Sequence, residues 1–317
     1  MYGVQLQSNG ENKGRIEMTS QQEILKKIQL SNGETLAYRE KIGGDEILIL
    51  VHGNMTSSKH WDVLIEKMDK RFTIYAPDLR GFGQSSYVRT VQHIKDFSDD
   101  LKLWTEALNL KDFTLMGWST GGAVSMQFCA DYPGLCKKLI LLASASTRGY
   151  AFFGTNPDGT PNLSKRLLTL EEIENDTGKT LAMQFLYDTK NREGLKAVWN
   201  ALIYTHTQPS TGQYEAYVDD MLTQRNLADV YHALNTFNIS AANNEVSEGN
   251  NEVEKIQIPT LVLYGDRDYV VVESMTKEII EDFKGRAKVK RLIGCGHSAL
   301  IDDLPQLMKE IEHFIPY

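Results

Sequence analysis

The sequence predicts an α/β fold in which a mostly parallel β-sheet carries helices on both of its faces. Short strands that are apolar throughout alternate with amphipathic helical stretches in the first half of the chain, and the same alternation returns near the C-terminus. Strands that are apolar on both faces belong to a buried parallel sheet, because the helix of each parallel connection covers one of those faces. The stretch between the two regions breaks the alternation and predicts an insertion.

An antiparallel strand pair opens the predicted fold, over residues 23–30 and 34–42. Ser31-Asn32-Gly33 lies between the two strands, and Asn-Gly supplies the positive φ angles that a tight hairpin requires. Residues 1–19 are polar and contain no apolar stretch of the kind found in a signal peptide. We therefore expect them to form a flexible leader.

Continuous apolar runs predict the remaining core strands, and apolar residues that recur every three or four positions predict the core helices. In the helix over 93–110, for example, Ile94, Phe97 and Leu101 share one face. The predicted strands are residues 47–51, 72–76, 113–116, 138–143, 260–264 and 287–293. The predicted helices are residues 57–68, 93–110, 121–132, 273–283 and 299–314.

Residues 145–255 interrupt this core. They contain helical stretches over 192–204 and 212–225, but no clear buried strand, and they end in an acidic loop rich in asparagine. We therefore expect residues 20–144 and 256–317 to form the core. Residues 145–255 are expected to form a helical cap that is inserted between two late strands.

Charge and cysteine content exclude several classes of partner. The chain has 34 Lys and Arg against 42 Asp and Glu, a net charge of −8, and no cluster of basic residues. We therefore expect neither nucleic acid nor an anionic membrane as a partner. No apolar run approaches the roughly 20 residues of a membrane-spanning helix.

The three cysteines, Cys129, Cys136 and Cys295, form no disulfide or zinc pattern. We therefore expect a cytoplasmic protein without metal or cofactor.

A Gly-x-Ser-x-Gly segment identifies the candidate nucleophile. Gly117-Trp118-Ser119-Thr120-Gly121 lies where the predicted strand 113–116 meets the predicted helix 121–132. This pattern is typical of a sharp strand-to-helix turn, because small residues two positions on either side let the chain bend and expose the serine hydroxyl. The helix that follows points its first N–H groups toward any oxyanion that develops there.

A serine nucleophile needs a base, and the base needs a carboxylate that orients it. Gly265-Asp266-Arg267-Asp268 directly follows the strand 260–264, and Gly294-Cys295-Gly296-His297 directly follows the strand 287–293. Both loops leave the carboxyl ends of parallel strands, which is the edge at which such sheets place ligands. We expect Ser119, an aspartate of the first loop and His297 to converge there.

The loop His52-Gly53-Asn54 predicts an oxyanion hole. It follows the strand 47–51, and a glycine at this point lets the backbone come close to Ser119. The N–H of Asn54 can then join that of Thr120, and donors of this kind contribute about 3–4 kcal/mol each in the transition state. We expect His52 to support the loop through hydrogen bonds.

With these motifs in place, the chain resembles an α/β-hydrolase with a cap domain, over residues 23–144 and 256–317. The family pattern Asp-x-x-Gly-x-Gly-x-Ser is matched by Asp78, Gly81, Gly83 and Ser85, and the pattern Gly-x-x-Asp-x-x-Val is matched by Gly265, Asp268 and Val271. The resemblance implies a sheet of the eight-stranded type. It also implies a triad of Ser119, His297 and Asp268, with Asp268 rather than Asp266 as the acid.

Part of the cap is similar to intracellular poly(3-hydroxybutyrate) depolymerase-like hydrolases of bacilli. The similar stretches are residues 204–209, 219–226 and 237–240, and none of them carries a predicted catalytic residue. The candidate substrate-pocket residues are Trp118, Trp199, Tyr204 and Met221.

The sequence therefore predicts a serine hydrolase that cleaves carboxylic esters through an acyl-enzyme. We expect a small-molecule or oligomeric ester as substrate, hydroxyalkanoate oligomers included, and a monomer or homodimer. One alternative is a proline-iminopeptidase-like aminopeptidase, which needs cap carboxylates to hold a substrate amine. The available carboxylates are Glu171, Glu172, Glu174, Glu215 and Asp219. Another alternative is a ligand-sensing α/β-hydrolase that turns over slowly and passes cap movement to a partner.

Overall fold

A single large β-sheet organises residues 24–316, the part of the chain that this computed structural model describes. The strands are β1 (Ile24–Gln29), β2 (Thr35–Lys41), β3 (Glu46–Val51), β4 (Phe72–Pro77), β5 (Phe113–Trp118), β6 (Cys136–Leu142), β7 (Phe153–Thr155), β8 (Pro161–Arg166), β9 (Thr260–Gly265) and β10 (Ala287–Leu292). Eight of them form the large sheet in the order β1-β2-β4-β3-β5-β6-β9-β10. Strands β1, β2 and β4 pair antiparallel, and every pairing from β4 to β10 is parallel. The predicted mostly parallel sheet is confirmed.

Helices cover both faces of this sheet. They are α1 (Asp62–Lys67), α2 (Ile94–Ala107), α3 (Thr120–Asp131), α4 (Leu170–Glu174), α5 (Thr180–Asp188), α6 (Arg192–Leu202), α7 (Thr211–Met221), α8 (Leu227–Thr236), α9 (Glu273–Phe283), α10 (Ala299–Asp302) and α11 (Leu304–Phe314). Successive side chains of β3 point to opposite faces of the sheet, as in any pleated strand, and each face has its own apolar cluster. Ile49 and Val51 pack with α2 and α3, whereas Leu48 and Leu50 pack with α1 and α11. Within the described chain, no helix is long and apolar enough to cross a membrane.

Two predicted helices differ from the observed ones. The helix predicted over 57–68 begins with a 3₁₀ turn (Ser58–Trp61) before α1. The helix predicted over 299–314 breaks at Asp303, whose side chain accepts a hydrogen bond from the backbone N–H of Gln306 and so begins α11. Pro305 lies in the first turn of α11, where its missing N–H costs nothing, but it cannot continue the preceding helix.

The segment between β6 and β9 contains α4 to α8 together with the two-stranded antiparallel sheet of β7 and β8. The sequence predicts helices alone here. Strand β8 reads Pro-Asn-Leu-Ser-Lys-Arg and is mostly exposed, so it lacks the apolar run by which the buried strands are recognised. The leader predicted over residues 1–19 lies outside the described residues.

Candidate active site

Ser119 occupies the sharp turn between β5 and α3. Its backbone has φ 57° and ψ −117°, a conformation that costs free energy for any residue with a side chain. A Cβ on Gly117 would lie 2.1 Å from the carbonyl oxygen of Gly121, and a Cβ on Gly121 would lie 2.2 Å from that of Val51. Only glycine fits at these two positions. The Ser119 side chain is partly exposed, and within residues 24–316 its hydroxyl has no hydrogen-bond partner.

His297 and Asp268 form a buried pair on the loops that follow β10 and β9. The Nδ1 atom of His297 lies 2.9 Å from Oδ2 and 3.1 Å from Oδ1 of Asp268. The carboxylate also accepts hydrogen bonds from the backbone N–H groups of Val270 and Val271, which fix its orientation. Because a carboxylate can only accept, the imidazole proton is on Nδ1, and Nε2 is left as the basic nitrogen.

Asp266 has a different environment from Asp268. Its Oδ1 accepts the backbone N–H of Gly294 at 2.9 Å, and its Oδ2 lies 3.5 Å from the guanidinium of Arg291. These contacts tie the loop after β9 to the loop after β10. Of the two predicted aspartates, Asp268 is therefore the one in contact with His297.

Trp118 connects the His297 loop to the turn at Ser119. Its indole N–H donates to the backbone carbonyl of His297 at 2.9 Å, and the two rings lie 5.6 Å apart between centroids. Among the described contacts, His297 and the Ser119 hydroxyl do not form a hydrogen bond. Such bonds are often long before substrate binds and shorten only in the complex with substrate.

The Gly53–Asn54 peptide faces Ser119 from the end of β3. A Cβ on Gly53 would lie 3.1 Å from the Cβ of Ser119, which shows how closely the two backbones approach. The carbonyl oxygen of Gly53 accepts hydrogen bonds from Nδ1 of His52 at 2.7 Å and from the hydroxyl of Thr56 at 2.9 Å. The C=O and N–H of a trans peptide point in opposite directions, so these bonds also fix the direction of the Asn54 N–H.

Two backbone N–H groups beside Ser119 are left free by this arrangement. Neither Asn54 nor Thr120 donates its N–H to a protein acceptor within the described part of the chain. Thr120 is the first residue of α3, whose first N–H groups have no acceptor within the helix. Two free donors next to a free serine hydroxyl are the arrangement expected of an oxyanion hole.

His52 holds the Gly53 peptide as a neutral imidazole. The backbone N–H of Leu79 donates to its Nε2 at 2.9 Å, so Nε2 carries no proton and Nδ1 is the donor. Burial lowers the pKa of His52, because the side chain is removed from water and the charged form loses its solvation. The expectation that His52 supports this loop through hydrogen bonds agrees with these contacts.

The segment between β6 and β9 is hydrogen-bonded directly to the loop that carries Asn54. The side-chain amide of Gln224 donates to Oδ1 of Asn54 at 2.8 Å. The carboxylate of Asp220 accepts the backbone N–H of Ser57 at 2.9 Å and also its hydroxyl. Sequence reasoning assigned no role to Gln224 or Asp220, since nothing in their local sequence distinguishes them from other polar residues at the end of a helix.

The four predicted pocket residues are all buried. Trp118, Trp199, Tyr204 and Met221 expose at most 2% of their surface and belong to one apolar cluster. Their contact with substrate stays a prediction.

The carboxylates considered for an aminopeptidase are either paired with basic residues or exposed. Glu215 and Asp219 both pair with Arg192, and Glu215 also pairs with Lys196. Glu171, Glu172 and Glu174 are exposed on α4. None of the five contacts the residues of the site described above.

Comparison with known proteins gives a family match and several distant relatives. Residues 46–304 match the family described as alpha/beta hydrolase fold. An uncharacterized protein of Mycobacterium tuberculosis is 33% identical over 102 residues, which are 32% of this chain but only 30% of that relative. A bifunctional esterase/perhydrolase of Acinetobacter calcoaceticus is 23% identical over 85% of this chain and 91% of its own length. The structure of an esterase from Exiguobacterium antarcticum matches with a TM-score of 0.69 and 18% identity, over 91% of this chain and 98% of that chain.

The buried environment of His52 leads to a prediction about its protonation. At pH 6.5, where an ordinary imidazole is about half protonated, His52 should be neutral with its proton on Nδ1. Because its pKa is lowered in the folded state, its contribution to the free energy of unfolding is complete above pH ~6.5 and is lost as the pH falls below that value. Nitrogen-15 NMR of the His52 ring between about pH 8 and about pH 5 measures both its tautomer and the pH at which it becomes protonated. A His52 ring that titrates with a midpoint at or above about 6.5 would contradict the assignment.

Proposed function

This chain belongs to the α/β-hydrolase family, and we propose that it is a serine hydrolase that cleaves carboxylic esters with Ser119, His297 and Asp268. One observation carries the proposal. The buried Asp268–His297 pair and the unpartnered hydroxyl of Ser119 lie at the carboxyl edge of the same sheet, and Trp118 links the two loops. A nucleophile, a base and an orienting carboxylate are the three groups that acyl transfer requires.

In the first proposed step, Nε2 of His297 takes the proton of Ser119 as the serine oxygen attacks the ester carbonyl carbon. Asp268 holds the remaining imidazole proton on Nδ1 and stabilises the positive charge that develops on the ring. The carbonyl oxygen becomes negative and receives the N–H groups of Asn54 and Thr120. The bond to the leaving oxygen then breaks, and His297 returns the proton to the departing alkoxide, which leaves an acyl-enzyme.

In the second proposed step, water hydrolyses the acyl-enzyme. His297 takes a proton from the water as its oxygen attacks the acyl carbon, and the same two amides stabilise the new oxyanion. The bond to Ser119 breaks, His297 gives its proton back to the serine oxygen, and the carboxylic acid leaves.

Esters are the proposed substrates because an alkoxide leaves more readily than an amine. The name of the Acinetobacter relative includes an esterase activity, which supports this choice. An aminopeptidase is less well supported, because the candidate carboxylates are exposed or already paired with basic residues. The proposal includes hydroxyalkanoate oligomers, whose scissile group is also an ester. Three free, buried cysteines support a reducing, cytoplasmic location as part of the same proposal.

Replacement of the nucleophile tests the proposal. A fluorophosphonate probe should label the wild-type protein once, and Ser119→Ala should abolish the labelling and reduce ester hydrolysis by about 10⁴-fold or more. Ser125→Ala is the matched control, since Ser125 lies on α3, the helix that follows Ser119, and is fully buried. It should keep both labelling and activity. Mass spectrometry of the labelled peptide and p-nitrophenyl ester assays measure the outcome, and an active or labelled Ser119→Ala protein would contradict the mechanism.

The choice between the two aspartates has its own test. Asp268→Asn should reduce kcat by about 10⁴-fold, because an amide at this position no longer stabilises the imidazolium or its correct tautomer. Asp266→Asn keeps an oxygen that accepts the N–H of Gly294, so its kcat should fall by less than about tenfold. The measurement is kcat for steady-state ester hydrolysis by each of the two variants and by the wild type. The opposite ranking would show that Asp266 is the triad acid.

A further inference from the structure

The side chain of Gln224 joins the loop that carries Asn54 to the segment between β6 and β9. Gln224 follows α7 by three residues and exposes 9% of its surface. Its Nε2 donates to Oδ1 of Asn54 at 2.8 Å and to Oδ1 of Asn226 at 3.0 Å. Its Oε1 accepts the hydroxyl of Tyr187 at 3.3 Å. Both amide hydrogens are therefore used within the protein, which leaves Gln224 no donor for a substrate.

A backbone carbonyl fixes the orientation of the side-chain amides in this network. The carbonyl of Arg80 can only accept, so Nδ2 of Asn226, 2.9 Å away, faces it. Oδ1 of Asn226 then faces Gln224 and needs a donor there, which is Nε2. With Nε2 on this side, Oε1 of Gln224 lies toward Tyr187, and Asn54 presents its oxygen rather than its amino group. The amide of Gln224 thus has one orientation, in which it donates to Asn54.

The backbone next to Gln224 is anchored to the core loop after β4. The N–H of Arg225, the following residue, donates to the carbonyl of Gly81 at 2.9 Å. Gly81 has a φ of 82°, and a Cβ at this position would lie 2.4 Å from Nδ2 of Asn226. The close approach of the two segments therefore requires glycine at residue 81. Gln224 is fixed relative to the core by these contacts.

Asn54 depends on the bond from Gln224. Within residues 24–316, it is the only hydrogen bond that Asn54 forms. The carbonyl of Gly53, the preceding residue, accepts two hydrogen bonds from within the loop. Met55, the following residue, has a φ of 60°, a conformation that its surroundings must maintain. Loss of the bond from Gln224 would leave Asn54 free to rotate between a fixed peptide and a strained residue.

We propose that Gln224 is a positioning residue for the oxyanion hole, because its bond to the side chain of Asn54 holds the Asn54 N–H toward the oxyanion that forms at Ser119. This inference rests on the proposed reaction at Ser119. A backbone donor stabilises an oxyanion only when its nitrogen lies about 2.7–3.1 Å from the oxygen, so a small rotation of Asn54 weakens the interaction. Both proposed steps use this donor, so its displacement lowers kcat whichever step is slower.

Removal of the bond from either end tests this proposal. Gln224→Met removes the donor, and Asn54→Ala removes the accepting oxygen but keeps the backbone N–H. Each variant should lower kcat for p-nitrophenyl ester hydrolysis by about tenfold and change KM by less than about twofold, because the donor acts in the transition state. Both substitutions remove the same bond, so kcat of the double variant should lie within about threefold of the lower single variant.

Gln213→Met is the matched control. The side-chain amide of Gln213, on α7, donates to the hydroxyl of Tyr217 at 2.9 Å and to Oδ1 of Asp62, on α1, at 3.3 Å. The same substitution there removes another amide bond between the inserted segment and the core, without a contact to Asn54. It should change kcat by less than about twofold.

Several results would overturn this inference while Ser119 is still labelled in an active wild type. One is an unchanged kcat in Gln224→Met, and another is a raised KM with unchanged kcat, which would assign Gln224 to substrate binding. A third is a pair of losses that multiply to about a hundredfold in the double variant, since two separate effects would then be present. If circular dichroism shows that Gln224→Met does not fold, Asn54→Ala decides alone, and an unchanged kcat in that variant overturns the inference. A wild type with neither hydrolysis nor labelling would overturn the proposed function, and this inference with it.

Discussion

The backbone of Ser119 is the constraint on which the rest of the site depends. A serine with a φ of 57° is strained, and such a residue persists only where its surroundings leave it no alternative. Its N–H donates to the carbonyl of Leu142 on β6, and its carbonyl accepts the N–H groups of Gly122 and Ala145. With both backbone groups bonded, the backbone of Ser119 is held in place, and its side chain lies beside Gly53 on the loop that follows β3.

The loop after β3 is also held by hydrogen bonds to its backbone. These bonds leave the N–H of Asn54 free. The carbonyl of Gly53 accepts hydrogen bonds from His52 and Thr56. Met55, two residues further along, has a positive φ of 60°, as Ser119 does. Gln224 and Asp220 then tie this loop to the segment between β6 and β9. The polar side chains of that segment therefore help to set the position of the Asn54 backbone, whose N–H is one of the two proposed oxyanion donors.

The sequence predicts the parts of the site that depend on local patterns. The turn at Ser119 is predicted because Gly117 and Gly121 lie where a predicted strand meets a predicted helix. His297 is predicted as the base because it directly follows a late strand. The contacts of Gln224 and Asp220 are different in kind: they join residues 170 and 163 positions apart in the chain. Their residue types are common at helix ends, so only the folded packing identifies them. The hairpin of β7 and β8 is not predicted for a related reason, since the polar and mostly exposed sequence of β8 carries no burial pattern.

A crystal structure of the protein after reaction with a p-nitrophenyl alkylphosphonate, whose tetrahedral adduct mimics the proposed intermediate, tests the roles of Ser119, Asn54 and Thr120 together. The proposed mechanism predicts a covalent bond from Ser119 to phosphorus. One phosphonyl oxygen should lie about 2.7–3.1 Å from the backbone nitrogens of both Asn54 and Thr120. An adduct on a different residue, or a phosphonyl oxygen bonded to neither amide, would contradict it.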